Sequence, residues 1–426
     1  MTAVLSFVLL SLLLSTSFPS VARAQTPTIA PVTTITSVPT YNPISTITYD
    51  PTKGEIFVQY VHECNDCTDW GTGIVAVISD GTNKAIGNIT EKLQDSIGYI
   101  GDVVYDSGKG EVFAAYGNAK PEAGVLTSTP YISVISDSNN SLVATIASTS
   151  AGSSWPIQPT GMVYDSGKGE MFVTDVQSND VYVISDQSNT VVATIGVKGT
   201  SGGGPYGWAY GGMAYDSAKG EVFVANSNQI SVISDSTNEV VANISVSTSS
   251  LVYDASKGEV FDYYLGEANL LLPPKISVIS DSTNTVVATI SQVKGGVTSI
   301  AYDSGKGLIF AGSVISDSTN TIVAQLSGSI QNIVYDSGKG EIIATTPSGL
   351  DVFSDSSISS SSSSTAATST TTPLLSSTTT LITASASSSG SGGIPEFPHQ
   401  LLTAILFTTL LAVGYMVVRL RAQAPV

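Results

Sequence analysis

Residues 298–326 read TSIAYDSGKGLIFAGSVISDSTNTIVAQL, and the fold follows from this stretch. Four short runs rich in β-branched residues, TSIAY, LIFA, VIS and TIVAQL, are separated by DSGKG, GS and DSTN. Runs of that length, bounded by Gly, Asp, Asn and Ser, are strands joined by tight turns. The unit is therefore a four-stranded antiparallel meander. The runs do not alternate cleanly, and VVATI elsewhere in the chain is apolar on both faces. Strands of that kind suit a sheet packed between two other sheets.

The unit recurs. Tyr-Asp-x-x-Lys-Gly begins at Tyr49, Tyr105, Tyr164, Tyr215, Tyr253, Tyr302 and Tyr335, at intervals averaging about 48 residues. A second signal, Ser-Asp after a short apolar run, ends at Asp80, Asp137, Asp186, Asp235, Asp281, Asp317 and Asp355, and the two alternate throughout. Seven such units predict an all-β chain, a seven-bladed β-propeller over residues 25–355. After Asp355 comes only SSISSSSSS, a poor strand, so the seventh unit lacks its fourth. VTTITSV at 32–38 lies upstream of the first unit and is expected to complete the last blade, which also removes an open edge. Asp-Ser-Gly-Lys-Gly itself reads as a turn. Asp accepts N–H bonds from residues just beyond it, and Gly supplies positive φ. It is no phosphate loop, because Lys is followed by Gly-Glu rather than by Ser or Thr opening a helix.

The ends have a different character. Residues 1–24 hold an apolar run and close on Ala22-Arg23-Ala24, a signal-peptide pattern. Residues 356–393 are dominated by Ser, Thr, Ala and Gly, too polar to bury anything, and read as a disordered, O-glycosylated stalk. Leu401–Val418 is apolar and long enough to span a bilayer, and Arg419 and Arg421 behind it place the tail 419–426 in the cytoplasm. The expectation is a membrane-anchored chain with its propeller outside. A formal net charge of −18 argues against nucleic acid as a partner.

Two stretches carry a resemblance. GEMFVTDVQSNDVYVISDQSNTVVATI (169–195) and GEVFVANSNQISVISDSTNEVVANI (220–244) resemble the YVTN-type β-propeller repeats of archaeal surface-layer proteins. Phe172-Val173-Thr174-Asp175 is similar to the tetrapeptide that names them. Pro395-Glu396-Phe397, within 394–398 and ahead of the apolar helix, resembles the PEF-type sorting signal of archaea. That likeness implies either a processed, lipid-type anchor or a retained helix. It implies fold and envelope location, not an activity, since propellers host unrelated tasks.

Candidate sites are few. In VHECNDCTDW (61–70), Cys64 and Cys67 are expected to form a disulfide outside the cell. A metal site on His62, Cys64 and Cys67 is the alternative, and no cofactor is expected. His62 and His399 are the only histidines, too few for most base-driven enzymes. An exported polysaccharide hydrolase or lyase would have to use loop acids such as Asp102, Asp175, Asp262 and Glu267. Long segments 60–73, 116–131, 147–160, 196–211 and 262–275 should emerge at one end of the ring. They carry Trp70, Trp155, Tyr206, Trp208, Tyr210, Tyr263 and Tyr264. Of these Trp155, Tyr206, Trp208 and Tyr210 are the expected contacts for an envelope glycan or protein, against the alternative that such rings plug the channel. Asn88, Asn139 and Asn243 open N-glycosylation sequons. The resulting expectation is a non-enzymatic, structural or adhesive surface protein.

Overall fold

The computed structural model describes residues 26–38, 46–62, 72–90, 97–118, 131–147, 159–175, 180–197, 212–226, 228–266 and 272–358. The segments expected to be a signal peptide, a stalk, a sorting motif and a membrane helix lie outside the described residues, apart from 356–358.

Seven antiparallel sheets form a seven-bladed β-propeller. Blade 5 shows the plan. Its strands Ser250–Asp254, Glu259–Tyr264, Lys275–Ser280 and Thr285–Ser291 are laid side by side in chain order. Successive blades stack face to face, and each interface is an apolar layer. Between blades 2 and 3, Phe113, Ile132 and Val134 meet Met162, Met171 and Val173. The second strands supply the largest side chains of these layers. Phe57, Phe113, Phe172, Phe223, Phe261 and Phe310 are all fully buried, each worth about 1.5–3 kcal/mol of transfer free energy. Sandwiching between neighbours explains why the middle strands are apolar on both faces.

The outer strands differ. Their exposed and half-buried positions alternate, as in Thr190–Gly196, where only Ile195 is buried. In six blades the pairing to the third strand skips one apolar residue at the same place: Ile86, Val143, Val192, Val241, Val287 and Val323. A bulge there twists the rim and spoils it as a template for pairing with another chain. The first five of these residues are exposed, so the bulge guards an otherwise sticky edge.

The N-terminal segment lies along two of the outer edges. Thr33–Ile35 pairs antiparallel with Gly349–Ser354 as the fourth strand of blade 7. Ile35 and Val38 are buried there, and the Thr34 hydroxyl donates to Asp351 Oδ1 at 2.6 Å. Thr28–Ile29 pairs in parallel with Thr321–Leu326 of blade 6, a fifth strand that the repeat pattern did not announce. Ile29 joins the core beneath it. At the other end of the domain Asp355–Ser357 forms a 3-10 turn, and Ile358 is buried in the same core. The packed domain thus runs past Asp355 because an apolar side chain is available to hold it.

Candidate functional site

The repeated motif folds as a turn and also joins the blades. In blade 2, Asp106 ends the first strand, and its Oδ1 accepts the N–H groups of Gly108 (2.7 Å) and Lys109 (3.1 Å). Gly110 then adopts φ +67°. A Cβ there would lie 2.7 Å from Asp137 Oδ2, so only glycine fits. The second turn has its own left-handed residue, an asparagine, as at Asn189 and Asn284. These are the roles expected of Asp, Gly and Asn in turns.

Lys and Tyr do something else. The Lys53 ammonium reaches across to blade 2, donating to the carbonyl of Asp137 and standing 3.6 Å from its carboxylate. Lys109 donates to the Asp186 carbonyl of blade 3 at 2.5 Å. The same reach joins Lys168 to Asp235, Lys219 to Asp281, Lys257 to Asp317 and Lys306 to Asp355. Lys339 of blade 7 then meets Asp80 of blade 1, at 3.9 Å. Each blade is therefore latched to the next around the whole ring. The lysines are about one-third exposed and their Asp partners largely buried, and fully exposed pairs contribute about 0.2–1 kcal/mol apiece. In six of the seven the charged hydrogen bond to a carbonyl adds to that, while Lys306 donates to the Asp355 carboxylate instead.

Behind each latch stands a tyrosine between two acids. Tyr302 donates to Asp254 Oδ1 of blade 5 at 2.7 Å and lies 3.3 Å from Asp317 Oδ2 of its own blade. Tyr49 meets Asp336 and Asp80 in the same way, across the junction of blades 7 and 1. Burial, reinforced by these carboxylates, holds all seven tyrosines un-ionised, and Tyr105 is pushed up to about 12. The excess of acid in the chain is concentrated here. Each junction holds two Asp for one Lys, with a Glu nearby in six blades.

The opposite end carries the blade-to-blade loops and those between second and third strands. Cys64, Cys67, Trp70, Trp155, Tyr206, Trp208, Tyr210 and Glu267 all lie outside the described residues. His62 ends the strand Glu55–His62, paired with Thr72. Tyr263 and Tyr264, expected on a long loop, instead close the strand Glu259–Tyr264 and are buried. Their role is packing, not recognition. Of the expected loop acids, Asp102, Asp175 and Asp262 sit on strands of blades 2, 3 and 5. Asp262 is fully buried, and burial lifts its carboxyl to about 7. Asp102 is lifted to about 6 by burial, against N–H bonds from Val103 and Met162. Asn88 and Asn243 lie on outer strands and Asn139 in a turn, all three exposed.

Over blade 6 the loops are short, and an open cleft of about 230 Å³ remains, lined by Lys294, Gly296, Gly312, Gly328 and Gln331. Lys294 donates to the carbonyls of Leu326 (2.7 Å) and Gly328 (2.8 Å), which ties the two loops together. No group of three or more His, Cys, Asp or Glu suited to a metal ion occurs among the described residues. No protein-family model and no curated protein matches the chain.

Proposed function

We propose that this chain is an exported, membrane-anchored surface protein of the YVTN-type propeller class, archaeal in character. Its task is structural or adhesive. One observation carries the reading: the two ends of the ring are chemically different. At one end every repeated polar residue is engaged in turns and blade-to-blade latches. The strands at the other end are joined, in blades 1–5, by the long unrepeated stretches of the sequence, which include the aromatics Trp70, Trp155, Tyr206, Trp208 and Tyr210. Rigid scaffolds commonly carry recognition on such loops. The ligand is an envelope glycan or protein, gripped by Trp155, Tyr206, Trp208 and Tyr210.

The rest of the chain supports the same reading. The signal-like residues 1–24, the Ser/Thr stalk, Pro395-Glu396-Phe397 and the apolar helix follow in the order an anchored exoprotein needs. Cys64 and Cys67 form a disulfide there, and exposed Asn88, Asn139 and Asn243 accept glycans. The strand Thr33–Ile35 serves as the clasp of the ring, tying the start of the domain to its last blade.

Intact-mass spectrometry of the protein extracted from its native membrane tests the proposal. Loss of residues 1–24, hexose increments and a two-dalton gain on reduction are expected. A chain with its leader retained and no sugar would overturn the surface reading. No gain on reduction would return His62, Cys64 and Cys67 to contention as ligands.

A further inference from the structure

The tyrosine between two carboxylates has a consequence in hydrogen counting. A phenol has one hydrogen to give. Tyr302 gives it to Asp254 Oδ1, the nearer oxygen at 2.7 Å. Its second contact, 3.3 Å to Asp317 Oδ2, then sets two lone-pair-bearing oxygens against each other. The contact becomes a hydrogen bond only when Asp317 carries a proton and donates it to the tyrosine oxygen. The same triad recurs at every junction. Tyr105 stands between Asp50 and Asp137, Tyr164 between Asp106 and Asp186, and Tyr215 between Asp165 and Asp235. Tyr253 stands between Asp216 and Asp281, and Tyr335 between Asp303 and Asp355. Asp235 with Asp165, and Asp317 with Asp254, are also within hydrogen-bonding reach of each other, a geometry that two ionised carboxylates resist.

We propose that the junctions of blades 3 and 4 and of blades 5 and 6 are proton-binding sites, so that the ring takes up protons and tightens there in acidic surroundings. The proton adds to Asp235 or Asp317, converting carboxylate to carboxyl, and its O–H then donates to the oxygen of Tyr215 or Tyr302. No other atom moves.

At the junction of blades 5 and 6 the facing groups are Asp254, the Ser256 hydroxyl, Lys257 and Glu259 from blade 5, with Tyr302 and Asp317 from blade 6. Asp281 lies near Glu259. The two acids of the triad diverge as the idea requires. Burial works against Asp254, but hydrogen bonds from Ser256 and Tyr302 hold it below the usual carboxylate range. Burial pushes Asp317 up, with the Asp254 charge adding and Lys257 opposing. Asp254 stays the anion and Asp317 takes the proton. Lys257 still holds the Asp317 carbonyl, so the latch survives protonation. Glu259 is raised by burial as well, which adds to the uptake.

The sign follows. A carboxyl raised in the folded state binds more protons folded than unfolded. Its stabilisation is full below the ordinary value near 4 and is lost as pH rises through the raised value.

The test uses the full chain, with Asp102→Asn and Asp262→Asn in every protein compared, because those two acids titrate in the same range. Infrared absorption of protonated carboxyl groups is followed from pH 8 to pH 4, beside thermal melting. Carboxyl absorption should persist above pH 5, and the melting midpoint should rise as pH falls from 8 to 5. Asp317→Asn, an uncharged mimic of the protonated acid, should remove part of that carboxyl signal and flatten the pH dependence. If Asp317→Asn fails to fold, Tyr302→Phe, which removes the oxygen that the Asp317 carboxyl would donate to, should lower the same carboxyl signal, and an unchanged signal would overturn the proposal. Carboxyl absorption confined below pH 5, or a midpoint that is flat or falls on acidification, would overturn the proposal.

Discussion

Asp262 offers the clearest perturbation in the molecule. It occupies the fourth place of the strand Glu259–Tyr264, where the corresponding strands of blades 1, 3 and 4 hold Val58, Val173 and Val224. Its residue is fully buried, with the hydroxyls of Thr248 and Ser277 nearby and Lys275 offering distant help. Burial lifts its carboxyl from 3.8 to about 7. A difference of that size costs about 4 kcal/mol at pH 8, where the group is ionised in both states. The cost fades as pH falls through 7 and vanishes near 4. Asp262→Asn keeps the shape and removes the charge, so it should stabilise the domain by up to about 4 kcal/mol at pH 8 and by almost nothing at pH 4. For a domain of this size the gain corresponds to a rise in melting midpoint on the order of 5 °C. Calorimetry of both proteins at the two pH values measures it. Equal midpoints at pH 8, or the same offset at pH 8 and pH 4, would refute the reasoning.

Three further perturbations probe the ring. Gly110→Ala forces a Cβ against the Asp137 carboxylate at a positive φ. It should cost about 1–3 kcal/mol by chemical denaturation. Lys339→Met cuts the latch between blades 7 and 1, and should lower stability by about 0.5–2 kcal/mol, with part of that loss removed by high salt. Deleting residues 26–38 strips the outer strands from blades 6 and 7 together with buried Ile29, Ile35 and Val38. The melting midpoint should fall, and the exposed edges should promote association visible by light scattering.

Much of the architecture is written in the repeats, because turn chemistry and strand composition agree in every unit. Asp50, Gly54 and their equivalents were legible as turn residues for that reason. The role of lysine was not, although a signal existed. A turn needs only the Asp and the Gly, yet Lys never varies in seven copies while its two predecessors do. The constant tyrosine is the same case. Its partner is an acid from the preceding blade, some fifty residues away, which local patterning cannot reach. Tyr263 and Tyr264 were misplaced because Asp262 interrupts an apolar run, and a charged residue there suggests a strand end. Thr28–Ile29 is too short to show periodicity, and its parallel pairing depends on where blade 6 stands in the ring. The proposed recognition residues, outside the described residues, are legible only as aromatics in long stretches between repeats, since no repeat constrains them.

The most direct test of the account measures binding of the full chain to isolated envelope material from its own membrane. The four-fold variant Trp155→Ala, Tyr206→Ala, Trp208→Ala, Tyr210→Ala is compared with the parent, and the melting midpoint of each is recorded. The account predicts that the parent binds without turnover, and that the variant loses binding while melting at the same temperature. Undiminished binding by the variant, or a midpoint that falls with it, would show these rings to be packing groups and contradict the account.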